Sequence, residues 1–364
     1  MNILISYHNK EGFDNIIPVA NYLKEKNYSV KLLDLCSFYI QDSNDQDYFE
    51  NEKIRLIIQN KNNYRNTSKI KKIIFYIQLI FLNKKLFNSY DCYLFSPGGF
   101  IEGQISKQFN YKKKHSFFIE GGLRAILLAE YPDKPKNEIK ETFLNHVSRH
   151  YVSGQGNKAA IINNFQNNNS LPDKIKSFGV PRYKSLINKT IQYQYKEIKN
   201  ILYLTTAAEY HNYKILQKWH DSEMVILNSV IKNSKYQYKI RVHPRDNLKK
   251  YKEFSSSNIT TANENSLFED VKWCDIVVTI PSSTFFEINY FGKPFIILWP
   301  FNYNPDVFKP DITSLKLLEN ELNKLDRDKL YDKYEQQRVF RDSFINPKTD
   351  KSDKLIAEDI MSFF

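Results

Sequence analysis

The stretch DIVVTIPSSTFFEINYFGKPFIILW, Asp275 to Trp299, contains a whole strand–helix–strand unit. Ile276–Thr279 is a short apolar run without alternation, as expected of a strand covered on both faces. Pro281-Ser282-Ser283-Thr284 then breaks the run with a hydroxyl-rich turn, and a helical pattern continues through Tyr290. Lys293-Pro294 closes that helix, and Phe295–Trp299 is a second apolar strand. Two buried strands joined through a helix must lie parallel, with a right-handed crossover.

The same grammar extends outward in both directions. Asn200–Leu204 reads as a strand with Thr205-Thr206 at its end, and a helix follows over about Tyr213–Lys232. Tyr238–Val242 is a strand running into His243-Pro244-Arg245. Asn258–Thr261 reads as a short strand and Leu267–Trp273 as a short helix. The N-terminal half repeats the pattern with strand Asn2–Ser6, helix Phe13–Lys26 and strand Ser29–Asp34. Asp91–Ser96 then leads into Pro97-Gly98-Gly99, and Ser116–Ile119 into Glu120-Gly121-Gly122. Val147–Val152 supplies another strand. Between the halves, Asn163–Thr190 has the Asn-rich composition of a linker, and the tail from about Asn320 is charged and helical.

The expected architecture is therefore α/β: two Rossmann-like domains facing across a cleft, with polar motifs at their strand ends. The domains are expected at 1–190 and 191–325, with a helical tail, 326–364, packing back on the first.

At 364 residues, with 41% hydrophobic and 26% charged, the chain is long enough for two real cores. The net charge of +12 favours anionic partners: phosphates, nucleotides, nucleic acid or an anionic membrane face. The basic residues are scattered, and no nucleic-acid-binding motif accompanies them, so nucleic acid is not an expected partner. Cys36, Cys92 and Cys274 are widely spaced, which fits neither a disulfide framework nor a zinc site. No secretory signal precedes the first strand, and a cytoplasmic location is expected. Ile73–Leu82 (IIFYIQLIFL) is too short to span a bilayer and is bracketed by Lys69, Lys71, Lys72, Lys84 and Lys85. It reads as a buried helix, a membrane-surface helix or an acceptor-side hydrophobic element.

The chemistry-bearing residues cluster at strand ends. His243 and Arg245 both offer donors to a phosphate, and Pro244 fixes the turn between them. Ser282, Ser283 and Thr284 present hydroxyls at a helix start, where anions bind and where helices are also simply capped. Glu287 lies near the first helical turn, within reach of a ribose hydroxyl, and equally suits a capping box. Glu120 stands beside glycines at a strand terminus, where partial desolvation lifts a carboxylate toward general-base range; pairing with Arg124 or Lys114 is its structural alternative. His8 ends the first strand and is a supporting candidate with Gly98, Gly99, Gly121, Gly122 and Arg124. No acidic pair follows a strand in metal-binding fashion, so a metal-independent enzyme without a cofactor is expected.

The composite of His243-Pro244 with Ser282-Ser283-Thr284, Glu287 and Gly292-Lys293-Pro294 resembles the nucleotide-binding half of several bacterial surface-polysaccharide enzymes of GT-B type. These are sialyltransferases and polysialyltransferases, capsule Kdo transferases and, more distantly, CDP-glycerol or CDP-ribitol phosphotransferases. The resemblance covers roughly Asn200–Pro300. It implies that His243, Ser282, Ser283 and Thr284 hold the phosphate of a cytidine-linked donor, with Thr205 and Thr206 lining the pocket. Phe118-Ile119-Glu120-Gly121-Gly122-Leu123-Arg124 is similar to the acidic motif of the first two families, which implies Glu120 as general base. Ile119 stands where a second acid is common. Phe178-Gly179-Val180-Pro181-Arg182 resembles a segment of the phosphotransferases. The implied activity is transfer of a sialic-acid- or Kdo-like sugar from a CMP donor to a glycan or glycolipid acceptor. Peripheral contact with a membrane face goes with such an acceptor. The rival readings are a CDP-alditol phosphotransferase and a non-catalytic nucleic-acid or membrane-surface binder.

Overall fold

The computed structural model describes residues 1–35, 53–54, 69–120, 145–164, 171–208, 213–255, 258–282, 284–303 and 308–364. These form two compact units. The first comprises described residues of 1–120, 145–185 and 344–364, and the second those of 186–343.

The first unit is built on β1 (Asn2–Tyr7), β2 (Ser29–Asp34), β3 (Lys53–Ile54), β4 (Cys92–Phe95), β5 (His115–Ile119), β6 (Arg149–Tyr151) and β7 (Ile175–Lys176). They form one sheet in the order β3-β2-β1-β4-β5-β6-β7. Every pairing is parallel. The helices are α1 (Lys10–Glu25), α2 (Lys69–Leu82), α3 (Lys84–Asn88), α4 (Phe100–Tyr111), α5 (Gln155–Asn164) and α6 (Leu171–Lys174), and the chain passes to the second unit within α7 (Lys184–Ile187). The run CYLF of β4 is buried throughout, as a central parallel strand requires. Leu4, Phe95, Ile105 and Phe118 join the hydrophobic core around it.

The second unit repeats this plan with β8 (Asn200–Leu204), β9 (Gln237–Arg241), β10 (Ile259–Thr260), β11 (Ile276–Thr279) and β12 (Phe295–Ile297). Their order is β10-β9-β8-β11-β12, again wholly parallel. Its helices are α8 (Lys214–Asn233), α9 (Leu267–Trp273), α10 (Thr284–Tyr290), α11 (Leu318–Asn323) and α12 (Arg327–Phe344). The capping box at Ser266 and Glu269 explains why α9 starts where it does. From Phe344 the chain belongs to the first unit again, and its last helix, α13 (Ser352–Met361), packs on α1.

Three sequence expectations need correction. α1 begins three residues before the pattern suggested, because the Asn9 side chain accepts from Gly12 N–H at 2.8 Å and caps it early. The supposed linker holds α6 and β7, since Ile175 is buried and pairs with His150 at the edge of the sheet. Ile73–Leu82 is not a buried helix: α2 buries Leu79 but exposes Ile74, Ile77, Phe81 and Leu82.

In both sheets the strand order reverses beside the first strand of the unit: between β1 and β4, and between β8 and β11. Such a switch point opens a crevice at the strands' C-terminal ends, because the flanking helices go to opposite faces. At the first switch α1 approaches the end of β4 so closely that a Cβ on Gly12 would run into the Ser96 carbonyl and the Pro97 ring. Only glycine permits that approach.

Candidate functional site

In the first unit the polar groups gather at the C-terminal edge of the sheet. Glu120 directly follows β5. It is 2% exposed, which corrects the expected partial desolvation to nearly full burial. His150, the middle residue of β6, donates from Nε2 to Glu120 Oε2 at 3.1 Å. Asn157, in the first turn of α5, reaches the same oxygen at 3.4 Å. Asn15 of α1 donates to the Glu120 carbonyl at 3.2 Å and to Ser96 Oγ at 3.3 Å. Its own side-chain oxygen accepts from Arg182 N–H at 3.2 Å. One buried asparagine thus ties together the ends of β4 and β5 and the turn at Pro181. Lys114, the expected alternative partner of Glu120, instead donates to the carbonyls of Asn88 and Tyr90.

A second histidine–carboxylate pair spans the β1/β4 switch point. His8 follows β1, and its Nδ1 lies 2.5 Å from Glu102 Oε1 in the first turn of α4. Glu102 is fully buried, and His8 is 7% exposed. With the carboxylate as acceptor, the ring donates from Nδ1. Gly98 and Gly99 lie between β4 and this turn, with Gly99 as the N-cap of α4. His8 and Glu120 end strands separated only by β4, so about 10 Å of sheet lies between them. Gly121, Gly122 and Arg124 lie outside the described residues.

In the second unit His243 follows β9 by one residue. Its backbone N–H donates to Thr205 Oγ1 at 2.8 Å, across from the end of β8. Arg245 N–H donates to His243 Nδ1 at 3.1 Å. A backbone N–H can only donate, so Nδ1 is the acceptor and the neutral ring bears its proton on Nε2. The turn therefore presents one fixed N–H donor. Burial lowers the His243 pKa, Arg245 lowers it further, and Asp246 opposes them. Pro244 and Arg245 are exposed and Thr206 is half-buried. Beneath the turn, Tyr251 donates to Asp246 Oδ2 at 2.5 Å.

His220 of α8 is buried close to this turn. Burial pushes its pKa down to about 4, with Asp246 and Asp221 opposing and Lys250 adding to the fall. The unfolded chain takes up this proton at about 6.5, so between these values it binds more protons than the folded one, and stability falls as the pH drops. Urea unfolding should show the protein about 2 kcal/mol less stable at pH 5 than at pH 7 from this group alone. His220→Leu should remove that part of the difference, and an unchanged difference would contradict it.

Ser282 and Thr284 are half-buried, and their hydroxyls lie 3.0 Å apart. Thr284 N–H, at the start of α10, donates to Ser282 Oγ at 3.3 Å. Glu287 is half-buried in the first turn of that helix. Ser283 lies outside the described residues. Among the described residues no three His, Cys, Asp or Glu side chains converge as a metal-binding group.

Glu102, His150, Asn157 and Asn15 are the residues that motif reading missed. Only Asn15 left a trace, as a polar residue on the apolar face of an amphipathic helix. The structure brings Glu120, His150 and Asn157 into one cluster, His8 and Glu102 into a second, and Thr205, His243 and Arg245 into a third.

No family model matches the chain, and no curated protein sequence does. Solved structures match over its whole length. The S. aureus MnaA–UDP structure covers 100% of this chain and 97% of its own, with a TM-score of 0.63 at 14% identity. The UDP-GlcNAc 2-epimerase of Neisseria meningitidis bound to UDP-GlcNAc covers 100% of both chains, with a TM-score of 0.61 at 16% identity. The wall teichoic acid polymerase TagF soaked with CDPG covers 99% of this chain and 88% of its own, with a TM-score of 0.54 at 14% identity. The chain has the fold of these proteins. That fold is α/β, the GT-B type with two Rossmann-like units.

Proposed function

We propose that this protein is an enzyme that acts on a nucleotide-activated sugar and transfers the sugar to a glycan or glycolipid acceptor. The observation that carries the reading is the His243 turn, with its proton fixed on Nε2 at a strand end and Arg245 exposed beside it. In this reading His243 and Arg245 stabilise the phosphate as it leaves, and Ser282 and Thr284 support the donor. Glu120 takes the proton of the acceptor hydroxyl while His150 and Asn157 hold its carboxylate in place. The donor is CMP-linked, with a sialic-acid- or Kdo-like sugar, on the strength of the resemblance in Asn200–Pro300. Inversion and retention at the anomeric carbon are both open to this geometry.

Two observations favour a second reading, a nucleotide-sugar 2-epimerase. Structures named as UDP-GlcNAc 2-epimerases match with TM-scores of 0.52 to 0.62, reaching higher than the polymerase at 0.54. In addition, the sheet edge carries two histidine–carboxylate pairs, and epimerisation by proton removal and return needs two proton-handling groups. A CDP-alditol phosphotransferase is the variant to which the polymerase likeness points.

Incubation with CMP-linked sugars, UDP-GlcNAc and CDP-glycerol, followed by product NMR, separates these. Consumption of a CMP-sugar with a new glycosidic signal is expected. Epimer signals from UDP-GlcNAc alone, or turnover of CDP-glycerol alone, would replace the transferase reading. Activity should persist in EDTA, because Arg245 supplies positive charge and His243 a hydrogen-bond donor at the phosphate. A complete loss restored by Mg²⁺ would contradict that assignment.

A further inference from the structure

The exposed face of α2 is not accounted for by any part of this chemistry. Ile74, Ile77 and Phe81 are spaced i, i+3 and i+7, so they form one stripe along the helix. They are 49%, 49% and 72% exposed, and Leu82 beside them is exposed as well. Leu79 points the other way into the core of the first unit. The helix is thus anchored by one face and offers an apolar stripe on the other.

Positive charge collects at the end of this stripe. Lys84 and Lys85 of α3 are exposed, with only Asn83 between them and Leu82. Lys112 and Lys114 both donate to Asn88, the last residue of α3. Burial, then Lys114 and Lys84, lower the Lys112 pKa, so these lysines feel one another. None of the four pairs with a carboxylate among the described residues. Exposed Tyr111 precedes this group at the end of α4, which packs against α2 and α3.

We infer that α2 and the adjoining lysines form a docking surface for an anionic lipid bilayer. Ile74, Ile77, Phe81 and Leu82 enter the acyl boundary while Lys84, Lys85, Lys112 and Lys114 meet the headgroups. Charge complementarity selects this occupant, because a protein face would have to neutralise four lysines that have no carboxylate partner among the described residues. A tyrosine at the junction of apolar and basic surface is typical of a lipid interface. α2 lies on the surface rather than crossing it: fourteen residues reach about 21 Å against about 30 Å of hydrocarbon. No helix among the described residues is long and apolar enough to cross a membrane. The inference is independent of the reaction proposed above.

Co-sedimentation of the full chain with vesicles tests it. Vesicles of phosphatidylglycerol and phosphatidylcholine in equal parts should retain the protein, and pure phosphatidylcholine should retain far less. Each lysine at an anionic surface is worth about fivefold in partition, so Lys84→Glu with Lys85→Glu should weaken binding at least about tenfold. Ile77→Asp with Phe81→Asp should abolish it with an unchanged melting temperature, since both side chains are already in water. Val225→Asp, on an exposed position of the second unit, should bind as the native chain does. Failure of the native chain to bind anionic vesicles would overturn the inference, as would equal binding by the Ile77/Phe81 variant. Dissociation of a native oligomer by that variant, without any vesicle binding, would assign the face to a second copy of the chain.

Discussion

Glu120→Gln is expected to lower kcat by about 10²–10⁴ while nucleotide-sugar affinity stays nearly unchanged, the usual worth of a positioned base. Glutamine keeps the size of the side chain, and its oxygen accepts from His150 Nε2–H or Asn157 as the carboxylate does. What it loses is basicity, so a defect confined to kcat marks proton transfer. The carboxylate is 2% exposed and held by two buried side chains, which also makes it a plausible structural element. That alternative has a distinct signature: the variant would lose melting temperature and retain most of its turnover. Thermal unfolding and single-turnover kinetics on one preparation separate the two. Retained turnover, whatever the melting temperature, would remove Glu120 from the reaction.

His243→Ala is expected to cut turnover about 10²-fold or more, the loss typical of one donor aimed at developing charge. Nucleotide affinity should fall with it, since the same N–H meets the phosphate of the ground state. Calorimetry with CMP, CDP and UDP reads the affinity directly and also shows which base the site prefers. The backbone of the turn is held by Thr205 and by the Tyr251–Asp246 bond, neither of which uses the imidazole Nε2. The variant also loses the Nδ1 acceptor of Arg245 N–H, so its melting temperature is measured beside the affinity. Unchanged affinity and unchanged rate would exclude His243 from the site. Thr205→Val tests the support: it removes the acceptor for the His243 N–H and should weaken nucleotide binding less than His243→Ala does.

The sequence by itself determined the parallel α/β plan and the positions of most strand ends. Continuous apolar runs such as IVVT and CYLF have no polar face to give to solvent, so they must be central strands. Where such a run stops at a polar or glycine-rich turn, as at Glu120, Thr205 and His243, the chain leaves the sheet on its ligand-facing edge. These features are local, set by side chains within about ten residues of one another. The hydroxyls of Ser282 and Thr284 were legible in the same way, as a cap or an anion contact, and in the structure Ser282 Oγ accepts from Thr284 N–H at the helix start.

Tertiary structure alone decided who meets whom at those ends. His8 finds Glu102 across 94 residues, and His150 finds Glu120 across 30, because strand order and parallel register bring distant strand ends to one edge. Periodicity marks a strand but carries no information on its neighbour. For the same reason the burial of Glu120 was invisible: it depends on His150, Asn157 and Asn15, which reach it from three other elements. The return of α13 onto α1 follows from the complementarity of two surfaces far apart in sequence. The exposure of α2 was undecidable from its composition, since an apolar helix of that length suits a core as well as a surface. The packing of Leu79 inward with Phe81 outward settles which face the fold leaves to the outside, because a helix held by one stripe must present the opposite one.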